Sequence, residues 1–524
     1  MHHTLTALVL TLVCGIAMLT TGCASLKPST PDMITEEISS PPREFRAAWV
    51  ATVANIDWPS EPGLSTSEQK AEIIAILDRA QSLNLNAIVF QVRPQCDAFY
   101  PSKLEPWSYF LTGTQGKAPD PYYDPLEYWI EQAHDRGIEL HVWFNPYRAH
   151  HPKSGEVTQT SVVKTHPEIV IELKNGYYWL DPALQETQDH SLDVIMDVVN
   201  RYDIDGVHLD DYFYPYPSYN DGEDFPDDDS WAEYLDNGGK LSREDWRRDN
   251  VNTFIKRLYS SIKKEKRQVR FGMSPFGIWR PYNPQTILGL DQYNVLYADA
   301  KLWLNKGWVD YWTPQLYWPI SRIPQSYPVL LGWWVRENTH NRNLWPGLYT
   351  SRISDGKGAD ENINQIMVTR GFVPEGPGNI HFSMKALLDN RGGIADSLCA
   401  GPYHDEVLVP ASPWLDSKAP AAPGVTADIR GKKITVSWTH ENSVDVFRWV
   451  VYIKRGNDWY YEIFNRNDRK HTIMLPETDI PDTDSEQTST ESTIETLEPP
   501  SFIAVSAVDR MGNESKRSIV KLSD

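Results

Sequence analysis

The stretch Asp205-Gly-Val-His-Leu-Asp-Asp-Tyr-Phe-Tyr-Pro215 joins a short apolar run to two adjacent carboxylates and a group of aromatic residues. A near-continuous apolar run indicates a buried strand of a parallel sheet. Acids at the carboxyl end of such a strand lie where parallel α/β folds place their chemistry. This stretch therefore predicts both the fold class and the position of a candidate active site.

Apolar strands and amphipathic helices alternate on both sides of this stretch. Eight strands are predicted to begin near Arg46, Ala87, Glu139, Gly206, Val269, Tyr311, Leu344 and Asn379, with strand six spanning 311–317 and strand seven 344–348. Ser65 and Glu68 predict a capping box at the first helix, and Asp124 followed by Pro125 predicts the start of the second. Eight strand–helix units predict an α/β fold of the (β/α)8 TIM-barrel type. The alternative is a doubly wound open sheet, which usually carries a Gly-rich phosphate turn after its first strand. The segment Asn55-Ile-Asp-Trp-Pro59 is no such turn, which favours the barrel.

After Pro410 the pattern changes to short alternating strands at 434–438, 449–453 and 502–508, followed by a last strand at 516–522. This spacing predicts a small all-β sandwich after the barrel. The sandwich resembles a fibronectin type III domain in its Pro-rich entry, in Trp438 and in the late turn at 508–515. Residues 476–500, rich in Thr, Ser and acids, are predicted to be a disordered insertion.

The predicted domains follow from these boundaries and from the composition of the amino terminus. They are a lipoprotein signal peptide (1–23), a flexible tether (24–42), the barrel (43–410), a linker (411–424) and the sandwich (425–524).

The apolar run from Leu5 to Leu19 is too short to span a membrane as a stable helix. It ends in Leu19-Thr-Thr-Gly-Cys23, which resembles a bacterial lipobox, whose Cys carries the lipid. We therefore expect Cys23 to anchor the protein to a membrane of the cell envelope. The tether begins Ala-Ser-Leu-Lys without an acidic run, which favours a periplasm-facing site. An uncleaved anchor and a plain secretory signal remain alternatives.

The composition limits the classes of ligand and partner that the protein can bind. A formal net charge of −21 argues against nucleic acid, which requires basic surfaces. The 20 Trp and 26 Tyr outnumber the 15 Phe, which favours a surface for a glycan polymer, although large barrels also bury many aromatics. We expect no cofactor and no metal, because the chain has no Walker loop, no nucleophile elbow and no zinc-ligand spacing. The acidic loop 220–229 is interpreted as solvated rather than as a calcium site.

Cys96 and Cys399 would lie at opposite ends of a barrel, so we expect two free, buried thiols.

Asp210 and Asp211 supply the carboxylates that glycoside hydrolysis needs. Neighbours on a strand point to opposite faces, so only one should face the barrel mouth unless the strand has already ended. His208 shares the parity of Asp210, which favours Asp210 as the principal catalytic group. Asp211 is either a second catalytic group or an acceptor that holds an Arg. The alternative for the pair is a structural role in a helix cap or salt bridge.

Several other strand ends deliver polar groups flanked by aromatics. An Arg beside carboxylates would keep them ionised and would bind sugar hydroxyls. The residues that we expect to bind substrate are Arg93, Asp97, Asn145, Arg148, His208, Tyr212, Trp279, Gln315, Tyr317 and Trp318.

Several separated motifs agree in order with one known family. They are the opening stretch, Arg46-Ala-Ala-Trp-Val-Ala-Thr52, Gln91-Val-Arg-Pro94, Trp143-Phe-Asn-Pro-Tyr-Arg148 and Pro314-Gln-Leu-Tyr-Trp318. Over residues 42 to 410 the chain resembles the glycosyl-hydrolase-like family of bacterial envelope lipoproteins. That family includes the divisome-localised glycoside hydrolase, which cleaves peptidoglycan strands stripped of stem peptides. The resemblance implies a glycoside hydrolase of envelope polysaccharide, acting on peptide-free glycan strands.

The strand-four segment is also similar to amylase-type barrels, which implies that Asp210 is the nucleophile. Those enzymes carry a Glu acid after strand five, and residues 269–279 contain no carboxylate. The acid therefore stays unassigned, with Asp211, Asp97 and Glu223 as candidates. Three other functions remain open: a hydrolase of α-glucan or another polysaccharide, a non-catalytic carbohydrate-binding lipoprotein, and an adaptor that binds a protein partner through the sandwich.

Overall fold

The computed structural model describes residues 38–353, 359–475 and 498–522. The predicted signal peptide, the predicted lipidation site at Cys23 and most of the predicted insertion at 476–500 lie outside these residues. Those predictions therefore stay predictions.

Eight parallel strands form the barrel. They are β1 (Phe45–Val50), β2 (Ala87–Arg93), β3 (Glu139–Phe144), β4 (Gly206–Leu209), β5 (Arg270–Met273), β6 (Tyr311–Trp312), β7 in two parts (Asn343–Leu344 and Gly347–Leu348) and β8 (Gly378–His381). The first part of β7 pairs with β6 and the second part pairs with β8, which in turn pairs with β1. The ring is thereby closed, which confirms the predicted TIM-type barrel.

Two strands are shorter than the sequence predicted. Strand β6 ends at Trp312 rather than at Tyr317, and β7 is interrupted at Trp345 and Pro346. Proline has no backbone N–H to donate to a sheet, and Pro314 and Pro346 stand where the ladder stops.

Helices cover the outside of the barrel. The main ones are α1 (Thr66–Ser82), α2 (Pro125–Asp135), α3 (Gln185–Arg201), α4 (Arg243–Glu265), α5 (Ala300–Asn305), α6 (Tyr327–Glu337), α7 (Asp360–Phe372), α8 (Met384–Leu388) and α9 (Ile394–Ala400). Further helices span Tyr109–Thr112, Val162–Thr165, Asp228–Asp236 and Gln292–Val295. The predicted capping box of Ser65 and Glu68 is present at α1, and Asp124 caps α2. In the described residues, no helix is long and apolar enough to cross a membrane.

The loop after β3 contains a small antiparallel sheet of three strands, Arg148–His150, Val170–Glu172 and Tyr178–Leu180. This sheet holds the chain that leads from β3 to α3.

Alternate residues of β4 belong to different cores. Val207 and Leu209 pack with the helices outside the barrel. His208 points inward, where its ring nitrogens lie 2.9 Å from the Tyr311 hydroxyl and 2.8 Å from the Ser274 hydroxyl. A Cβ on Gly272 would lie 1.8 Å from the Tyr311 ring, so only glycine leaves room for that ring. The barrel is therefore filled by side chains below its mouth.

The carboxyl-terminal part is an all-β sandwich, as predicted. Its strands are β9 (Gly424–Arg430), β10 (Lys433–Thr439), β11 (Arg448–Arg455), β12 (Asp458–Asn465), β13 (Lys470–Met474), β14 (Pro500–Val508) and β15 (Ser518–Lys521). They form one sheet in the order β9-β10-β13 and another in the order β12-β11-β14-β15. The sequence did not predict β9, β12 and β13, because most of their residues are at least partly exposed and give a weak apolar pattern.

The sandwich contacts the end of the barrel where β4 begins. Arg510, in the turn after β14, donates hydrogen bonds of 2.8 and 2.5 Å to Asp203 and lies 3.3 Å from Asp205. Asp205 is buried and lies 2.8 Å from the His134 ring. The carboxyl ends of the strands are therefore left free of the sandwich.

Cys96 and Cys399 are free thiols, as expected. Only Cys96 is buried; Cys399, on α9, is partly exposed, so the expectation of two buried thiols is wrong for Cys399.

Candidate active site

A cavity of about 460 Å³ opens at the carboxyl ends of the barrel strands. Every strand, or the loop directly after it, contributes to its lining. The aromatic lining residues are Trp49, Trp143, Tyr212, Tyr216, Tyr219, Phe276, Tyr317, Tyr349 and Phe382, and the polar ones are Gln91, Arg148, His151, Lys153, Asp210, Asp211, Ser274 and Gln315. A concave site with aromatic walls and few polar groups is typical of a small-molecule or sugar site.

Asp210 and Asp211 both line this cavity, and they are only 4% and 5% exposed. The sequence predicted that only one of them would face the barrel mouth unless the strand had already ended. Strand β4 ends at Leu209, so this exception applies and the alternation of a strand no longer holds at the two acids. The cavity therefore contains two carboxylates.

The two acids have different surroundings. The Tyr216 hydroxyl donates a hydrogen bond to Oδ2 of Asp211. The Oδ1 atom of Asp210 accepts a long contact of 3.4 Å from the Tyr212 N–H. Its Oδ2 atom is buried and has no hydrogen-bond partner among the described residues. The anion is therefore better stabilised at Asp211 than at Asp210.

Burial, followed by the charge of Asp211, raises the pKa of Asp210 to about 7. Burial also raises the pKa of Asp211, against the hydrogen bond from Tyr216. Adjacent carboxyl groups in a dry site do not easily ionise together. The hydrogen bond from Tyr216 favours the ionised form of Asp211, so Asp210 is the acid of the pair that is more readily protonated.

Arg148 supplies positive charge beside the pair and favours ionisation of both acids. Its guanidinium lies 4.5 Å from the Tyr212 ring centre, and Nη1 donates to the Pro94 carbonyl at 3.0 Å. Within the described part of the chain it forms no salt bridge, although it is only 3% exposed. Arg148 is thus a buried cation at the cavity wall, as the sequence predicted.

The same wall carries His151 and Lys153. Burial, then the charges of Arg148 and Lys153, lowers the pKa of His151 to about 3. The imidazole of His151 is therefore neutral and is not a proton donor in its cationic form.

The predicted substrate-binding residues fall into two groups. Arg148, Tyr212, Gln315 and Tyr317 line the cavity. His208 lies beneath its floor, fully buried, and burial lowers its pKa well below the usual range. Because His208 is hydrogen-bonded to Ser274, it supports a lining residue from below.

Arg93 and Asp97 turn away from the cavity into the loop after β2. Arg93 is fully buried and forms an ion pair of 2.5 Å with Glu105. Asp97 accepts a 2.7 Å hydrogen bond from Gln95, and burial raises the pKa of Asp97 to about 6. Both residues stabilise the loop, so Asp97 is not placed to act as the missing acid.

Asn145, Trp279 and Trp318 are also outside the lining. Asn145 is buried, and its Oδ1 accepts the Arg148 N–H at 2.9 Å, which fixes the turn after β3. Trp279 donates to Asp299 at 3.2 Å, and Trp318 packs edge-on against Phe276. These aromatics support the loops around the cavity.

Glu223, the remaining candidate acid, lies on the surface in an ion pair with Lys174. In the acidic loop around it, Arg247 forms ion pairs with Asp224 at 2.8 Å and with Asp227 at 2.5 Å.

Cys96, Glu105 and His190 have potential ligand atoms within 4.8 Å of one another. The guanidinium of Arg93 already donates to Cys96 Sγ at 3.0 Å and to Glu105. A cation is thus already present at this cluster, and the donor set does not favour a metal ion.

Sequence reasoning missed several lining residues, among them Trp49, Gln91, Trp143, Tyr216 and Ser274. Strand parity could have found Trp143, since it pairs in register with the inward-facing His208. No local pattern marks Tyr216 as the partner of Asp211, because that contact depends on the fold of the loop after β4.

The family model described as Glycosyl hydrolase-like 10 matches residues 44–363. The chain is 39% identical over 496 residues to the glycosyl hydrolase YngK of Bacillus subtilis, covering 91% of this chain and 92% of that protein. It is 35% identical over 393 residues to the glycosyl hydrolase DigH of Escherichia coli K12, covering 69% and 86%. Among solved structures, the glycoside hydrolase domain of PgaB (BpsB) from Bordetella bronchiseptica is similar at 12% identity and a TM-score of 0.45, covering 68% and 98%.

Proposed function

Because the chain belongs to the glycosyl hydrolase-like 10 family, we propose that it hydrolyses glycosidic bonds in an envelope polysaccharide. The substrate that we favour is peptidoglycan glycan strands without stem peptides, in line with the resemblance of the β4 motif to envelope lipoproteins. The observation that carries the proposal is the buried pair Asp210 and Asp211 at the barrel mouth.

In this proposal Asp210 gives its proton to the leaving oxygen, and Asp211 acts as the carboxylate that stabilises the developing positive charge. A raised pKa is what a proton donor needs at neutral pH. The sequence favoured Asp210 as nucleophile and left the acid open. The Tyr216 hydroxyl donates to Asp211, and Oδ2 of Asp210 has no partner among the described residues. These contacts favour Asp210 as the acid and Asp211 as the carboxylate.

The test is release of reducing ends from purified peptide-free glycan strands by the full chain. Asp210→Asn and Asp211→Asn should each lower the rate by about 10²–10⁴-fold, as expected for loss of acid–base catalysis. Glu223→Gln is the matched control, because this surface carboxylate lies outside the cavity and should leave the rate unchanged.

Other outcomes would indicate one of the alternative functions. Hydrolysis of starch but not of glycan strands would indicate an α-glucan hydrolase. Retention of glycan strands in a pull-down without any product, even at high protein concentration, would indicate a carbohydrate-binding lipoprotein.

We also propose that the protein is attached to the cell envelope by lipid at Cys23 and faces the periplasm. The lipobox-like Leu19-Thr-Thr-Gly-Cys23 supports this. Incorporation of labelled palmitate into the natural chain but not into Cys23→Ala is the expected result, and labelling of both would contradict it.

The sandwich, which we propose to be of the fibronectin type III kind, offers a surface for a protein partner. Its docking at the far end of the barrel leaves the cavity open. A partner that binds there should bind Asp210→Asn as well as it binds the natural protein.

A further inference from the structure

The two carboxylates of the cavity come from consecutive positions at one strand end. Among the described residues that line the cavity, Asp210 and Asp211 are the only ones with carboxylate side chains. Phe382, which follows β8 on the opposite side of the barrel, is apolar. Glycosidases with a protein nucleophile place two carboxyl groups on the two sides of the scissile bond, about 5–5.5 Å apart, and inverting enzymes place them about 6.5–9.5 Å apart.

Because Asp210 and Asp211 are adjacent in the chain and line one cavity, both approach a bound sugar from the β4 side. The cavity therefore offers a proton donor and a neighbouring carboxylate, with no carboxylate from the described residues on the far face of the sugar. A nucleophile that belongs to the substrate resolves this arrangement, as in glycosidases that use substrate assistance.

Building on the proposed function, we infer that the carbonyl oxygen of a 2-acetamido group on the sugar attacks the anomeric carbon. Asp210 protonates the leaving oxygen, and Asp211 holds the amide N–H. The substrate class is therefore the glycosides of 2-acetamido-2-deoxy sugars. Peptidoglycan strands and chitin-type oligomers belong to this class, and starch does not.

The surroundings of the two acids fit these roles. Oδ2 of Asp211 is held by the Tyr216 hydroxyl, and the lone pairs of the carboxylate that remain can accept the amide N–H of the substrate. Oδ2 of Asp210 has no partner among the described residues, so it can carry a proton. Trp49 and Phe382 meet edge-to-face with ring centres 6.0 Å apart, which gives a rigid apolar wall for the acetamido methyl group.

Atoms and charges balance over two steps. In the first, the carbonyl oxygen forms a bond to C1, the glycosidic C1–O bond breaks, and the Asp210 proton moves to the leaving oxygen. The resulting oxazolinium ion is stabilised by the Asp211 carboxylate. In the second, water attacks C1, its proton passes to Asp210, and the bond between C1 and the oxygen of the acetamido group breaks. The acetamido group is restored, and the product keeps the anomeric configuration of the substrate.

The test uses the full chain with aryl glycosides of N-acetylglucosamine oligomers whose reacting residue carries N-acetyl, N-difluoroacetyl or N-trifluoroacetyl groups. Fluorine weakens the carbonyl nucleophile, so kcat/KM should fall on the order of 100-fold across the series. Nuclear magnetic resonance of the first product should show retained configuration. A thiazoline analogue of the oxazoline should inhibit competitively.

Two variants separate the roles. Asp210→Asn should recover most of its kcat/KM on substrates with a very good leaving group, because the first step then needs no proton. Its kcat should stay low, because the attacking water in the second step still needs Asp210 as its base. Asp211→Asn should lose on the order of 10²–10³-fold with good and poor leaving groups alike.

Hydrolysis that is insensitive to fluorination, or that inverts the configuration, would overturn this inference and leave the proposed function intact. Absence of hydrolysis with every glycoside and with glycan strands would overturn both.

Discussion

Tyr216→Phe removes a single hydroxyl, the one that donates to the Asp211 carboxylate. A hydrogen bond to a charged group is worth about 1.5–3 kcal/mol. At 1.36 kcal/mol per pKa unit this corresponds to about 1–2 units. Asp211 is 5% exposed, but Tyr216 is only half-buried, so solvent replaces part of the lost bond and we expect about one unit.

The sign follows from the state that the hydroxyl stabilises. The bond favours ionised Asp211, so its loss raises the pKa of Asp211. Activity that needs this carboxylate is present above its pKa and is lost as the pH falls. The acidic limb of kcat/KM should therefore move about one unit to higher pH, which leaves about a tenth of the natural rate at a pH below both values.

The assay is the pH profile of kcat/KM on glycan strands for the natural chain, Tyr216→Phe and Tyr219→Phe. Tyr219 lines the same cavity, but its hydroxyl contacts that of Tyr212 at 3.4 Å and hydrogen-bonds neither acid. The acidic limb of the pH profile of Tyr219→Phe should therefore stay where it is in the natural chain. An unchanged acidic limb in Tyr216→Phe, or an equal shift in both variants, would refute the assignment of Asp211 as the ionised partner.

Two further predictions concern stability. Gly272→Ala should lower the free energy of unfolding by about 1–3 kcal/mol, because its Cβ would overlap the Tyr311 ring, which lies within 1.8 Å. Gly371→Ala, with no neighbouring atom within 4 Å, should be neutral or stabilising in urea titrations, and equal losses would contradict the packing argument. Burial raises the pKa of Asp205, but the charges of His134 and then Arg510, together with hydrogen bonds from His134 and the Leu140 N–H, hold this pKa below its usual range. The stability gained is therefore present above about pH 4 and is lost as the pH falls. Arg510→Gln should therefore destabilise the protein by about 1–3 kcal/mol at pH 7 and by progressively less below about pH 4, and a loss independent of pH would exclude this linkage.

Local sequence was sufficient for the elements of the barrel. The apolar run before Asp210 forms β4, and Ser65 and Asp124 begin their helices as predicted. These features depend on neighbours a few residues away along the chain. The shortened β6 also has a local cause, Pro314, which the predicted strand overlooked.

The side chains that share the cavity were decided by the tertiary structure. Arg93 ends β2 and Arg148 follows β3, both in similar polar segments, yet Arg93 pairs with Glu105 inside a loop and Arg148 lines the same cavity as the two acids. The sequence could not separate them, because the partner of each depends on loop conformation.

Residues 205–215 show the same difference between what local sequence and what tertiary structure determine. Its sequence alone determined a buried strand that ends in two carboxylates at the barrel mouth. Only the tertiary structure decided that β4 stops at Leu209, that both acids line one cavity, and that Tyr216 binds Asp211. The physical reason is that strand periodicity is local, whereas burial, a raised pKa and a hydrogen-bond partner arise where eight strand ends meet.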